Sequence, residues 1–174
     1  MLPSFAKRAR NLAVGAGTVF GLVMAPAAAR ADDPSFIAVG AGVYDVFHNF
    51  TAGQFRGEYR FADEFFYLKP FVGGLVTTDG SVLGYGGLRL DLYFGDRWVL
   101  TPNAAVGAFG RGSGKNLGSV VEFKTGGEFA YRFDDHARLG LQFDHISNAG
   151  IGKNNPGTES FVLMYSIPIG AMKP

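Results

Sequence analysis

The sequence lacks cysteine altogether and is poor in charged residues, which make up 18% of its 174 positions. Without cysteine there is no disulfide framework, no thiolate nucleophile and no cysteine-ligated zinc site. Glycine and aromatic residues are abundant instead, with 26 Gly, 17 Phe and 7 Tyr. Glycine with aromatic residues in short runs favours a β-rich fold over a helical bundle, and the length suits a single domain.

The long apolar run of the chain lies near its N-terminus. The basic segment "KRAR" precedes "NLAVGAGTVFGLVM", and "AAARA" ends in the small-x-small pattern that signal peptidase reads. We expect residues 1–31 to be a cleaved signal peptide and 32–174 to be an outer-membrane β-barrel domain; cleavage after Ala29 and an uncleaved anchor are the alternatives. Four of the 16 basic residues leave with this leader, so 12 remain against 15 acidic ones and the formal charge falls from +1 to −3. A nucleic-acid partner is therefore not expected.

Apolar and polar residues alternate with a period of two through the rest of the chain. In "GQFRGEYRF", Phe55 and Tyr59 share one face, whereas Arg56 and Glu58 share the other. This period is typical of a strand with unlike faces, and no later segment has the roughly 18 uninterrupted apolar residues of a transmembrane helix. We predict eight strands, at residues 36–47, 54–61, 65–77, 82–94, 98–110, 120–132, 138–147 and 159–169.

The connections between these strands fall into two classes. Tight turns ("FADEF", "FGDRW", "FDDHA") alternate with loops that are on average longer and rich in Gly, Asn and Ser. An even number of antiparallel strands with short turns at one end fits an outer-membrane barrel, and eight strands leave an interior filled by side chains. The predicted fold class is all-β, an eight-stranded antiparallel transmembrane β-barrel. A soluble barrel of lipocalin type is the alternative, because alternation alone does not say which face is inside.

The last predicted hairpin carries "FDHISNAGIGKNNPGTESF". If Phe143 faces lipid, His145 and Ser147 share its parity, and Glu159 has the parity of the outward residues of the last strand. These residue types match a nucleophile, a general base and a carboxylate that orients the base. Asp144 has the opposite parity and is interpreted as an interior polar residue. Ordinary polar residues at the rim of a barrel are the alternative interpretation.

At these residues the sequence resembles a family, the outer-membrane lipid A 3-O-deacylases (PagL family). The resemblance rests on "HISN" followed by "GTESF", which have the order and spacing of the family pattern. It implies a serine esterase that removes the ester-linked 3-hydroxyacyl chain at position 3 of lipid A. The family's catalytic triad then carries over to His145, Ser147 and Glu159.

The same resemblance implies an oxyanion hole in the loop after the serine. Gly150 (backbone amide) and Asn155 (side chain) match family positions, and Asn148 is a nearby alternative. The implied partner is lipid A, or lipopolysaccharide, with the active site facing the outer leaflet of the outer membrane; a homodimer is left open. No cofactor and no metal are expected, since a serine mechanism needs neither and His48 and His136 fall at opposite ends of the predicted barrel.

Three other functions remain alternatives. The chain is compatible with a non-enzymatic small barrel that serves adhesion or membrane stability, or with a soluble periplasmic ligand-binding barrel. It is also compatible with another lipid hydrolase or an acyltransferase on the same scaffold, for example one that acts on phospholipids. The proposed triad separates the enzymes from the first two, but residues alone do not separate one lipid substrate from another.

Overall fold

The computed structural model describes residues 33–170, and the predicted signal peptide lies outside them. None of the described residues forms a helix long and apolar enough to cross a membrane. The strands are β1 (Ser35–Tyr44), β2 (Ala52–Arg60), β3 (Lys69–Thr77), β4 (Val82–Arg89), β5 (Leu92–Phe94), β6 (Trp98–Gly110), β7 (Val121–Arg132), β8 (Arg138–Ser147) and β9 (Thr158–Ile169).

These strands form one antiparallel sheet that closes on itself. The first strand, β1, pairs with the last, β9, from Ser35 opposite Ile169 to Tyr44 opposite Ser160. Both β4 and β5 pair with β6, so together they are one barrel strand interrupted at residues 90–91. The described residues therefore make a closed eight-stranded barrel, as predicted. Closure pairs every strand edge, which a lipid bilayer requires.

The two faces of the barrel wall differ in the sense expected of a membrane protein. On β2, Arg56 and Glu58 are buried inside the barrel, whereas Phe55 is 59% exposed on the outside. On β7, Lys124 is buried and Phe129 is exposed. A charged interior and an apolar exterior are typical of outer-membrane barrels and opposite to a soluble barrel. This arrangement excludes the lipocalin-type alternative.

Ion pairs fill the barrel interior. Asp144 Oδ2 lies 2.5 Å from Arg56 Nη1, and Asp144 Oδ1 lies 2.9 Å from Lys124 Nζ. Arg60 contacts Glu128 at 2.6 Å. Buried charges are costly unless they are paired, so these contacts allow charged side chains to fill the interior of the barrel. They also confirm that Asp144 is an interior residue.

Two predicted strand boundaries differ from the structure by three or more residues. Strand β1 ends at residue 44 and not at 47, because Asp45 adopts a left-handed backbone conformation with a φ of 56°. Strand β3 begins at Lys69 and not at 65, since the main chains of Phe65 and Leu68 hydrogen-bond to each other. Both corrections concern residues next to a turn, where alternation of side chains does not report the backbone conformation.

Candidate active site

His145 and Glu159 are directly paired across the last hairpin. They are register partners on β8 and β9, and His145 Nδ1 lies 2.9 Å from Glu159 Oε1. Their side chains are 44% and 19% exposed and lie on the outer face of the wall, at the loop end of both strands. Because a carboxylate only accepts hydrogen bonds, Nδ1 carries the proton and Nε2 is left as the basic nitrogen.

Ser147 lies two residues beyond His145 on the same outward face of β8. Two residues of strand separate their Cα atoms by roughly 6.6 Å. Ser147 pairs in register with Phe123 of β7 and lies one outward position closer to the loop than His145. Within residues 33–170 no hydrogen bond joins its hydroxyl to His145. Contacts between nucleophile and base are often loose before substrate binds.

Gly157 supports the imidazole from the loop that precedes β9. Its φ is +60°, and a Cβ built on it would lie 2.9 Å from His145 Cε1. Only glycine combines this backbone conformation with the close approach of an aromatic ring without strain. Gly157 was not among the residues predicted from the sequence. Its place directly after Pro156 was the available signal, although this indicates a turn and not a contact.

Two of the three predicted oxyanion-hole residues already use their donors, in bonds within the loop at residues 148–157 and to the β6–β7 loop. The Asn148 amide donates to the carbonyl oxygens of Leu117 and Asn154, at 2.8 and 2.7 Å. The Gly150 N–H donates to Asn148 Oδ1 at 2.9 Å. Asn155 Oδ1 accepts from the Asn148 N–H at 3.0 Å, while its Nδ2 has no partner among the residues that the structure describes. Asn155 therefore offers the uncommitted donor next to Ser147.

Asp45 holds the β1–β2 connection in place next to β9 through hydrogen bonds to its buried carboxylate. Its carboxylate is fully buried and accepts from Lys115 Nζ at 2.6 Å, Thr158 Oγ1 at 3.0 Å and the Phe50 N–H at 3.1 Å. Burial alone would raise the pKa of Asp45, but these hydrogen bonds and the charge of Lys115 lower the pKa below its ordinary value. Asp45 is thus an ionised anchor that joins this connection, the β6–β7 loop and β9.

His48, on the same connection, faces the second oxygen of Glu159. Its Nδ1 lies 3.6 Å from Glu159 Oε2 and 3.2 Å from Asp45 Oδ1, and its side chain is 44% exposed. From the sequence, His48 was weighed only as a metal ligand and had no place in the predicted site. Its proximity depends on how the β1–β2 connection folds over β9, which no local pattern reports.

Three aromatic rings lie on the membrane side of the pair. Phe143 and Phe161 are the next outward register partners below His145 and Glu159, and their ring centroids are 4.9 Å apart. Phe47, from the β1–β2 connection, lies 6.4 Å from Phe143 and 6.5 Å from Phe161. The polar pair therefore borders an apolar surface made by two strands and a loop.

The fold and these faces define an integral outer-membrane β-barrel, with a histidine–carboxylate pair on its lipid-facing side. Comparison with known proteins narrows the class. Residues 48–168 match the family model described as lipid A 3-O-deacylase (PagL). That match covers most of the chain, so the chain belongs to the lipid A 3-O-deacylase (PagL) family. The activity that the description of this family names, 3-O-deacylation of lipid A, is the hydrolysis of an ester.

Two relatives agree with this family. The chain is 38% identical over 55 residues to the lipid A deacylase PagL of Pseudomonas aeruginosa, a stretch that spans about a third of each protein (32%). The crystal structure of the outer membrane enzyme PagL matches with a TM-score of 0.63 and 21% identity, over 77% of this chain and 99% of that one. At this identity the structural likeness supports the fold.

Proposed function

We propose that this chain is a serine esterase that hydrolyses the ester-linked 3-hydroxyacyl chain at position 3 of lipid A. The observation that carries the proposal is the 2.9 Å contact between His145 Nδ1 and Glu159 Oε1 on the outer face of the barrel. Exposing a histidine and a carboxylate to lipid costs free energy, although less near the interface, so such a pair indicates a functional site. Family membership supplies the expected reaction.

In the proposed mechanism, Ser147 Oγ attacks the ester carbonyl carbon while His145 Nε2 takes the hydroxyl proton. Glu159 keeps the proton of the imidazole on Nδ1 and stabilises the imidazolium that forms. The tetrahedral intermediate expels the sugar 3-hydroxyl oxygen, which receives the proton from His145. Water then attacks the acyl-enzyme with the same base, releasing the 3-hydroxy fatty acid and restoring Ser147.

The negative oxygen of the tetrahedral intermediate needs a hydrogen-bond donor. We assign this role to Asn155 Nδ2, because the Asn148 amide and the Gly150 N–H already donate to other acceptors. A donor aimed at this oxygen contributes a few kcal/mol to lowering the barrier, about 3–4 kcal/mol in a well-studied protease. Asn148 and Gly150 then act on catalysis by holding the loop in shape.

The position of the pair also suits a lipid substrate. The pair lies at the end of the barrel that carries the longest connections, at 111–120 and 148–157, and long loops are typical of the extracellular end. A lipid in the outer leaflet would reach the site from the side, with its acyl chain against Phe47, Phe143 and Phe161. The catalytic groups thus face the leaflet in which lipopolysaccharide resides.

Expression of the full chain in a Gram-negative host tests the proposal. Mass spectrometry of lipid A is expected to show loss of one 3-hydroxyacyl chain, and Ser147→Ala and His145→Ala are each expected to abolish that loss. Mobility of the folded barrel on unboiled gels serves as the control for folding and insertion. Unchanged lipid A beside a folded wild-type barrel would exclude this substrate, and acyl loss from phospholipids would indicate a different lipid hydrolase.

A further inference from the structure

Glu159 has one oxygen in use and one without a hydrogen bond. Oε1 accepts from His145 Nδ1, whereas Oε2 is buried and has no hydrogen-bond partner within the described residues. A buried acceptor without a donor carries a desolvation cost, so such an oxygen in a functional site requires an explanation. His48 Nδ1, at 3.6 Å, lies at ion-pair distance from it.

His48 is held near Glu159 by its backbone and not only by its side chain. The Val46 N–H donates to the carbonyl oxygen of Glu159 at 3.1 Å, and the His48 N–H donates to the carbonyl oxygen of Asp45 at 3.3 Å. The Thr51 hydroxyl contacts the carbonyl oxygens of Asp45 and His48 at 3.2 and 3.3 Å. The connection is therefore tied to β9 at the position of the catalytic carboxylate.

Two carboxylates lie near His48 Nδ1, and they differ in the number of hydrogen bonds that they already accept. Asp45 Oδ1, at 3.2 Å from this nitrogen, already accepts from Lys115 Nζ and Thr158 Oγ1. Glu159 Oε2 accepts from no donor. A first hydrogen bond to Oε2 therefore stabilises the site more than a third bond to Asp45 Oδ1. The charged groups around His48 are Asp45, Lys115 and Glu159.

We propose that His48 is a positioning residue: it donates its Nδ1–H to Glu159 Oε2 and so keeps Oε1 directed at His145. This inference rests on the proposed triad and adds a fourth side chain to it. A carboxylate held at both oxygens does not rotate about its terminal bond, so the imidazole of His145 stays in the orientation that serves Ser147. Small losses of alignment of this kind lower rates strongly.

Two substitutions of nearly equal size test whether His48 acts as a hydrogen-bond donor to Glu159 or only occupies space beside it. In His48→Asn the amide nitrogen takes the place of Nδ1, whereas in His48→Leu that donor is lost. His136→Leu, at the opposite end of the barrel, is the matched control for loss of a histidine. Folding is checked by mobility on unboiled gels.

Two rates are measured on each purified, folded barrel: hydrolysis of detergent-solubilised lipid A, and covalent labelling of Ser147 by a fluorophosphonate. We expect His48→Leu to lower kcat and the labelling rate about tenfold with KM changed less than about twofold. His48→Asn and His136→Leu are expected to stay within about threefold of wild type. Equal losses in the Leu and Asn variants, or no loss in either, would overturn the proposal.

The labelling rate distinguishes this inference from the choice of substrate. If wild-type Ser147 is labelled and the variants follow the expected order without lipid A hydrolysis, His48 positions the triad of an esterase with another substrate. If a folded wild-type barrel is not labelled at Ser147, both the triad and the role of His48 are wrong.

Discussion

Asp144 and His145 are consecutive residues whose side chains lie on opposite sides of the barrel wall. Asp144 is buried between Arg56 and Lys124, whereas His145 bonds Glu159 on the lipid-facing surface. Two carboxylates therefore lie near the same histidine in sequence or space, but only Glu159 reaches it. The pair of variants at these carboxylates gives the most direct test of the site.

We expect Glu159→Gln to lower kcat by roughly a thousandfold or more while the barrel still folds, since loss of the orienting carboxylate has an effect of this order in a serine triad. Asp144→Asn should retain activity in the folded fraction. Because it breaks a buried ion pair, that variant should be destabilised by about 3–5 kcal/mol. Lipid A hydrolysis and urea unfolding in detergent measure the two effects. Loss of activity in Asp144→Asn but not in Glu159→Gln would show that Asp144, and not Glu159, is the catalytic carboxylate.

Gly157→Ala is expected to lower kcat about tenfold or more, because its methyl group would displace the imidazole of His145. Gly95→Ala is the matched control. Gly95 has nearly the same φ, +64° against +60°, but a Cβ there meets nothing within 4 Å. Both variants should share a cost in stability of about 1–2 kcal/mol, measured by urea unfolding. Equal activity in the two variants would show that the contact with His145 is unimportant.

The stability of the loop end is expected to depend on pH through Asp45. The folded-state pKa of Asp45 is lowered, so its contribution is complete well above the unfolded value of about 3.9 and is lost as pH falls through the folded-state pKa. Asp45→Asn should cost about 1–3 kcal/mol at pH 7 and weaken this acid dependence. Urea unfolding and proteolysis of the loops between pH 7 and 3 measure it. If the variant loses stability at low pH as the wild type does, other carboxylates are responsible for the pH dependence.

Phe47→Ala is expected to raise KM about threefold to tenfold with little change in kcat, since an apolar contact with the acyl chain binds ground state and transition state alike. Phe94→Ala, which removes an exposed phenylalanine at the other end of the barrel, is the control. Kinetics on detergent-solubilised lipid A measure both variants. A fall in kcat at constant KM would instead indicate that Phe47 acts on the position of His48.

The site could be predicted from the sequence only in part. The outward parity of His145, Ser147 and Glu159 was predicted correctly, because alternation along a strand is a local property. The positions of His48 and Gly157 beside the His145–Glu159 pair were missed. Each depends on a connection that folds back over a neighbouring strand, and the length and composition of a loop do not specify that path. Among the oxyanion candidates, the proposed choice of Asn155 over Asn148 and Gly150 depends on hydrogen bonds that only the folded loops show.

The sequence by itself determined that the barrel has eight strands, the fold class and which residues of each strand face lipid. The physical reason is that a strand of a barrel alternates between two solvents, and the side chains record this alternation with a period of two. Tertiary structure alone decided strand closure in register, the 2.9 Å contact of His145 with Glu159 and the position of His48 beside it. Strand closure and the position of His48 join segments far apart in the chain, and the distance between His145 and Glu159 depends on the register of their hairpin.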